Sequence, residues 1–335
     1  MISPSTPLLG LDIGGTKIAV CVGDAAGTIL ASDRIQGGTQ QPYDVMIPQV
    51  IATAQRLLAQ VGVRPEQVPV CGISSPGPID IDRGMIGRSP NMVWANVPIC
   101  RDVAAGLGIP TVLQNDANAG ALAEWFFGVA RGRRDVIYFT MSTGIGGGII
   151  AAGRLIEGVD GNAGEVGHVI LDLNGPVCGC GMRGCFEAFC GGRSVTRRLQ
   201  ALVAGQPENP LLHLPEVGGD PEKLGFEALR AGVRAGIPFA IEFWDDVCLR
   251  MAQGLGQYMM IFNPEMIIVG TVFMHSGEML MAPVKRLLPR FVWPGMMESC
   301  RLELPALGFR IGELAGVCVA LYSLHQTGEW QPPKG

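Results

Sequence analysis

At 335 residues the chain is longer than one hydrophobic core usually organises, so about two domains are expected. Apolar residues make up 48% and charged residues 16%, a composition that excludes a disordered chain. The net charge of −5 and the lack of a long Lys/Arg run argue against nucleic-acid binding, and the short RGRR at 131–134 is interpreted as a solvated turn before a strand.

The N-terminal part of the chain predicts strands before helices. Three short strands over residues 8–13, 16–23 and 27–35 form an antiparallel meander with tight glycine turns between them. Apolar residues then recur at helical spacing over residues 45–61, and residues 68–73 follow as a buried-type strand. This order of elements is an α/β pattern.

A similar unit recurs further along the chain. Residues 111–114 predict a strand and 117–127 a helix, which places Asp116 at the junction of the two. Residues 136–141 and 148–152 then predict two strands separated by a glycine-rich turn, as near the N-terminus. The recurrence of strand, glycine turn and strand predicts an internally duplicated architecture.

The remaining chain contains a Pro/Gly-rich stretch and three apolar elements. Residues 205–225 are interpreted as a surface loop or short insertion, 239–262 as a long helix, 266–269 as a buried strand and 311–325 as a final helix. The N-terminus does not have the pattern of a signal peptide and no window has the length of a membrane helix, so a cytoplasmic protein is expected.

Two glycine turns are candidate anion sites. In GLDIGGTK, Asp12 ends a strand, and the backbone amides of Gly14, Gly15 and Thr16 can approach an anion closely. The order is not that of a Walker A loop, and the alternative is an ordinary hairpin turn. The second stretch, TMSTGIGGG, offers Thr140, Ser142, Thr143, Gly144, Gly146 and Gly147. Two such turns can grip a polyphosphate, with Mg²⁺ near a carboxylate such as Asp12.

Carboxylates and amides elsewhere would suit a sugar. Asp116 in the stretch NDAN could act as a general base, and helix N-capping is the alternative for this tetrapeptide. Sugar hydroxyls require bidentate acceptors and amide groups. The further residues with such groups are Asn91, Asn115, Glu165 and Glu187, and His168 adds an imidazole in the same GEVGH stretch as Glu165.

Three cysteines are clustered in VCGCGMRGCFEA. Cys178, Cys180 and Cys185 have a spacing that disfavours a disulfide between neighbours and differs from the C-x-x-C of redox centres. Three thiolates in a glycine-rich loop suit tetrahedral Zn²⁺, which requires a fourth ligand in a structural site. His168 and Cys190 are both candidates, and the spacing leaves the choice open.

Taken together, DIGGTK, NDANAGALAEW, STGIGGG, GEVGH and CGCGMRGCFEA resemble the ROK family of repressors and sugar kinases over residues 8–325. The resemblance implies an actin-like ATPase fold, which is a duplicated ribonuclease-H-like α/β fold of two lobes. The expected lobes are residues 1–115, joined by a C-terminal helix at about 311–327, and 116–310 with the zinc loop. It also implies ATP and Mg²⁺ in the cleft, a hexose or N-acetylhexosamine phosphorylated at its 6-OH, and a homodimer.

Roles for individual residues follow from this resemblance. Asp116 is the implied catalytic base. The implied sugar-binding residues are Asn91, Asn115, Asp116, Glu165, His168 and Glu187. The implied nucleotide-side residues are Asp12, Gly14, Gly15, Thr16, Lys17, Thr143, Gly144, Gly146 and Gly270. The implied zinc ligands are His168, Cys178, Cys180 and Cys185, with Cys190 left as an ordinary thiol.

Two departures from the family pattern bear on function. Ser142 and Thr271 stand where the family usually has glycine, so nucleotide affinity and identity are open. A sugar-binding regulator without kinase activity is therefore an alternative. A DNA-binding repressor is disfavoured, since the first glycine turn follows so closely on the N-terminus. The preferred hexose and a polyphosphate donor in place of ATP also stay open.

Overall fold

The computed structural model describes residues 1–88 and 92–333, and the strands and helices below lie within them. The strands are β1 (Pro7–Ile13), β2 (Lys17–Asp24), β3 (Ile29–Gln36), β4 (Cys71–Ser75), β5 (Ile79–Asp80), β6 (Met85–Ile86), β7 (Thr111–Asn115), β8 (Val136–Met141), β9 (Ile145–Ala151), β10 (Arg154–Leu155), β11 (Met266–Val269) and β12 (Arg301–Glu303). The α-helices are α1 (Tyr43–Gln60), α2 (Ile99–Leu107), α3 (Asp116–Phe126), α4 (Phe186–Cys190), α5 (Gly192–Val203), α6 (Phe226–Arg234), α7 (Pro238–Phe262), α8 (Val272–Ser276), α9 (Glu278–Leu287), α10 (Pro294–Ser299) and α11 (Ile311–Gln326).

Two five-stranded sheets share one topology. The first has the order β3-β2-β1-β4-β7, and the second has the order β10-β9-β8-β11-β12. In the first sheet β1, β2 and β3 are antiparallel neighbours, whereas β4 pairs with β1 and β7 in parallel. In the second, β9 and β10 are antiparallel and β11 and β12 are parallel. The predicted internal duplication is confirmed.

Helices α1 and α11 cover the first sheet. The buried side of α1, including Val50 and Leu57, joins a core with Leu9 and Leu11 of β1. Helix α11 approaches the strands closely at Gly316, where an added Cβ would lie 2.3 Å from the backbone nitrogen of Leu11. The small residues of α11 therefore allow its backbone to lie directly on β1 and β4.

The chain divides into two compact units. Unit 1 comprises Met1–Val136, Gly148–Gly164 and Pro305–Gly335, and unit 2 comprises Ile137–Gly147 and Glu165–Leu304. Unit 1 extends beyond residue 115 because α3 packs on α11 through Ala119, Ala315 and Val319. The division into lobes at residue 115 stays a prediction about functional lobes.

Several local predictions differ from the structure in their bounds. The strand expected at 68–73 is β4, Cys71–Ser75, and the one expected at 148–152 is β9, Ile145–Ala151. The stretch 205–225, interpreted as a surface loop or short insertion, is mostly exposed and contains two 3₁₀ turns, capped by Asn209 and Asp220. Its apolar side chains Leu211, Leu212 and Val217 are buried.

Helices α2, α5 and α6 lie outside the sequence predictions. Their buried residues do recur at helical spacing, as at Val195, Leu199 and Val203 of α5, so these are amphipathic helices that the predictions missed. Within residues 1–88 and 92–333, the helices are too short or too polar to cross a bilayer.

Candidate functional site

Asp12 lies in β1 beside the parallel strand β4. Its Oδ1 accepts a hydrogen bond of 2.8 Å from Ser74 Oγ. Burial raises the pKa of Asp12 to about 6; the Ser74 hydrogen bond opposes this, the Asp116 carboxylate adds to it, and Lys17 lowers it. A half-buried carboxylate next to a second carboxylate is the environment of an oxygen ligand for a hard metal ion.

The first glycine turn, residues 14–16, connects β1 to β2 and is held by backbone bonds. The nitrogen of Gly14 donates to the oxygen of Lys17 at 3.0 Å, and the oxygen of Gly14 accepts from the nitrogen of Thr39 at 3.0 Å. An added Cβ on Gly14 would lie 2.7 Å from the Lys17 oxygen, whereas one on Gly15 would have no other group within 4 Å. Gly15 therefore faces open space, and the neighbouring Thr16 and Lys17 are exposed.

The junction of β7 and α3 carries Asp116. Asn115 is the N-cap residue, and its Oδ1 accepts from the nitrogen of Ala117 at 2.9 Å. Asp116 is the first helical residue, and its Oδ1 accepts from the same nitrogen at 2.8 Å. The capping prediction is therefore correct for Asn115, whereas Asp116 is exposed and has a second carboxylate oxygen.

The side chain of Gln114, in β7, supports this junction by hydrogen bonds to both elements. Its side chain is buried, and its Oε1 accepts from the nitrogen of Asn115 at 2.8 Å and from Nδ2 of Asn118 at 3.0 Å. Its Nε2 donates to Glu157 Oε1 at 2.7 Å, and burial raises the pKa of Glu157. Asn91, which was predicted to bind sugar, lies outside the described residues.

In unit 2, four side chains cluster as a possible metal site. They are His168, Cys178, Cys180 and Cys185, with ligand atoms all within 4.8 Å of one another. Cys178 Sγ lies 3.7 Å from His168 Nδ1, and Cys180 Sγ lies 3.8 Å from Cys185 Sγ. Tetrahedral zinc with Zn–S bonds of about 2.3 Å requires sulfur atoms about 3.8 Å apart. The ligand set and spacing therefore fit zinc.

His168 presents its two ring nitrogens to different neighbours. Nδ1 faces Cys178, whereas Nε2 lies 3.8 Å from Glu165 Oε2. One residue can thus contribute Nδ1 to the metal cluster and leave Nε2 for a hydroxyl group. Glu165 is exposed, and residues 166–168 form a 3₁₀ turn that joins the two side chains.

The second glycine turn, residues 142–144, connects β8 to β9 and contacts the start of α5. The nitrogen of Gly192 donates to the oxygen of Ser142 at 2.8 Å, and that of Arg193 donates to the oxygen of Thr143 at 3.0 Å. The nitrogen of Ile145, directly after the turn, donates to Glu187 Oε2 at 2.8 Å. This turn is therefore held by residues distant in sequence.

Beyond β11 the chain carries the Gly270–Thr271 departure. Thr271 has a φ of 44°, in the left-handed region where a β-branched residue is strained. A pocket opens beside it, lined by residues of α6 and α8. They are Phe226, Glu227, Arg230, Val272, His275 and Ser276. Glycine would adopt the Thr271 backbone without strain, which gives a physical reason for the usual family residue.

Sequence reasoning missed two groups that support the candidate site. Ser74 is the penultimate residue of β4, which pairs in parallel with β1 at Asp12, so the polar residues that close this strand were the available signal. Gln114 gave no comparable signal because its partners, Asn118 and Glu157, lie on other elements. The structure brings Asp12, Ser74 and Asp116 together in unit 1, and Glu165, His168 and Glu187 near the cysteines in unit 2.

Comparison with known proteins identifies relatives along nearly the whole chain. A glucokinase from Thermotoga maritima is 34% identical over 297 residues, 88% of this chain and 91% of the relative. A xylose repressor from Caldicellulosiruptor bescii is 26% identical, over 94% of this chain and 77% of the repressor. Both kinds of relative carry the same domain.

Solved structures agree with the topology. A ROK hexokinase from Thermus thermophilus has a TM-score of 0.81 at 31% identity, covering 96% of this chain and 99% of that one. A ROK family glucokinase from Streptomyces griseus in complex with glucose and AMPPNP has a TM-score of 0.72 at 30% identity, covering 92% and 97%. The expected actin-like ATPase fold is confirmed. The ROK family model matches residues 8–314, and the chain belongs to this family.

Proposed function

We propose that this protein is a sugar kinase that transfers the terminal phosphoryl group of ATP to the 6-hydroxyl of a glucose-type hexose or N-acetylhexosamine, with Asp116 as the general base. The observation that carries the proposal is the pair of carboxylates at Asp12 and Asp116, one half-buried and one exposed, beside an open glycine turn. The glucokinase from Thermotoga maritima and the nucleotide-bound glucokinase from Streptomyces griseus support the sugar kinase class.

In the proposed reaction the hydroxyl oxygen of the sugar attacks the γ-phosphorus and ADP leaves. Asp116 accepts the hydroxyl proton as the new O–P bond forms, which explains the need for an exposed carboxylate. Mg²⁺, held at Asp12, supplies charge neutralisation at the phosphates when bound. The amides of the two glycine turns position phosphate oxygens, since such catalysis depends mainly on placement and charge.

The sugar is assigned to Asn91, Asn115, Asp116, Glu165, His168 and Glu187. Carboxylates and amides of this kind accept and donate the paired hydrogen bonds that vicinal hydroxyls require. His168 Nε2, on the side of its ring that faces Glu165, is the atom proposed to reach a hydroxyl. The pocket beside Thr271 is proposed to take the adenosine end of ATP, next to Gly270.

We assign structural zinc to His168, Cys178, Cys180 and Cys185. The near-tetrahedral spacing of the sulfur and nitrogen atoms supports this metal. Bound zinc would tie the segment of Glu165 to the segment of Glu187. Glu165 precedes the ligand His168 by three residues, and Glu187 follows the ligand Cys185 by two. The homodimer and the cytoplasmic location stay predictions.

The replacement Asp116→Asn tests the proposed base. It keeps the shape of the side chain and removes the proton acceptor, so kcat should fall by about 10² to 10⁴ while the Kd for sugar changes little. Turnover is measured in a coupled ADP assay against a hexose panel, with polyphosphate as a second donor. Asp33→Asn, at an exposed carboxylate of β3, is the matched control and should keep wild-type turnover.

A sugar-binding regulator without kinase activity is the second candidate. Two observations favour it: Thr271 is strained where the family has glycine, and xylose repressors share the domain. In that case the protein would bind a hexose in calorimetry and produce no ADP with any sugar. Turnover in the wild type that is lost in Asp116→Asn would exclude this candidate.

A further inference from the structure

Glu187 connects two parts of unit 2 that the sequence analysis treated separately. It lies in α4, two residues after Cys185, the N-cap residue of that helix. Its Oε1 lies 3.7 Å from Cys178 Sγ, on the side of the cysteine cluster. Its Oε2 accepts the 2.8 Å hydrogen bond from the nitrogen of Ile145. One carboxylate therefore faces the cluster on one side and the end of the second glycine turn on the other.

The space around this contact is closed on the side of the turn. An added Cβ on Gly144 would lie 2.4 Å from Glu187 Oε2. One on Gly191, at the end of α4, would lie 2.8 Å from Glu187 Cγ and 3.4 Å from Gly144 Cα. The glycines thus let the turn, the carboxylate and the α4–α5 junction pack against one another without intervening side chains.

Ile145 is also packed against the segment of Glu165 and His168. An added Cβ on Gly167 would lie 2.2 Å from the oxygen of Ile145. Two residues further along β9, the missing side chain of Gly147 leaves room for the side chain of Val166. The first residue of β9 is therefore enclosed by the two segments that supply metal ligands, and its amide is bound by Glu187.

We infer that Glu187 is a positioning residue for the second glycine turn: its carboxylate fixes the start of β9 and couples the turn to the His168 and cysteine cluster. The role goes beyond a sugar contact, and it rests on the proposed function only in that the turn is taken to bind phosphate. Loss of the carboxylate should therefore weaken nucleotide binding as well as sugar binding. A residue that only binds sugar would leave the nucleotide unaffected.

Glu165 offers a matched comparison. It is the other carboxylate proposed for the sugar in unit 2, and its Oε2 lies 3.8 Å from His168 Nε2. Glu165→Ala should weaken sugar binding and leave the turn as in the wild type. Glu187→Ala should change both.

The experiment compares wild type, Glu187→Ala, Glu187→Gln and Glu165→Ala in the zinc-loaded full chain. Amide hydrogen exchange at Ile145 and the Kd for Mg²⁺·ADP are measured without sugar. Glu187→Ala should exchange the Ile145 amide about tenfold faster and bind ADP about fivefold to tenfold more weakly, as expected for loss of a hydrogen bond to a charged acceptor. Glu187→Gln retains an acceptor oxygen and should recover most of the protection and the ADP affinity.

Gly144→Ala is a second route to the same contact, in case Glu187→Ala fails to fold. Its Cβ should displace the Glu187 carboxylate and reproduce the faster exchange at Ile145. Wild-type exchange and ADP affinity in both Glu187→Ala and Gly144→Ala would overturn the inference. Absence of sugar phosphorylation by the wild type would instead contradict the proposed function and leave the exchange result intact.

Discussion

The two glycine turns have similar sequences and equivalent places in two sheets of the same order, but their supports differ. The first turn, residues 14–16, is closed by backbone bonds to its own hairpin and to residues 39 and 40. The second, residues 142–144, is held by backbone amides of α5 and is followed by an amide bound to the side chain of Glu187. Duplicated topology therefore does not require duplicated support. Both turns have a local backbone bond, in which the nitrogen of Gly14 donates to the oxygen of Lys17 and that of Ser142 donates to the oxygen of Gly144. The first turn is further bonded to the segment after β3, and the second to a segment that also carries the proposed zinc ligands.

Removal of zinc should give the largest difference between the two turns. Chelation should speed amide exchange in residues 165–190 and at Ile145 by tenfold or more, because the proposed zinc would join these segments. The amide of Gly14 should keep its protection, since its bond to Lys17 lies in unit 1. Exchange mass spectrometry before and after chelation, with zinc added back as control, measures both. Equal loss of protection in the two turns would mean that the metal stabilises the whole fold.

Gly14→Ala should give the next largest effect, on stability. Its added Cβ would lie 2.7 Å from the Lys17 oxygen, a backbone atom that cannot rotate away. We expect the free energy of unfolding to fall by about 2 kcal/mol, measured by urea denaturation. Gly144→Ala meets the end of a flexible side chain, so it should cost less, about 1 kcal/mol for the displaced hydrogen bond of Glu187 to Ile145. An equal cost at both positions would contradict the proposed difference in support.

Gly15→Ala should give the smallest effect on stability. Its Cβ would point into open space, so the free energy of unfolding should change by less than about 0.5 kcal/mol. If phosphate approaches the first turn at this point, the Kd for Mg²⁺·ADP should rise although the fold is unchanged. A large loss of stability would show that Gly15 supports the hairpin itself.

Much of the fold was predictable because it depends on local pattern. The three N-terminal strands, helix α1 and the recurrence of strand, glycine turn and strand follow from apolar spacing and turn residues, and the structure reproduces them with shifted ends. Helices α5 and α6 carried a local signal that the predictions missed, since buried residues such as Val195, Leu199 and Val203 recur at helical spacing, whereas the buried side chains of 205–225 show no regular spacing.

For the candidate site, the sequence determined which chemistry is present, and the tertiary structure decided how the groups are connected. Asp12, Asp116 and the cysteine cluster could be chosen from motifs because their residue types and spacing limit the possible chemistry. Three hydrogen bonds join residues that lie 42 to 62 positions apart in the sequence. They are those of Ser74 with Asp12, of Gln114 with Glu157 and of Ile145 with Glu187. Such contacts form only when strands pair and helices pack, so no local pattern records them.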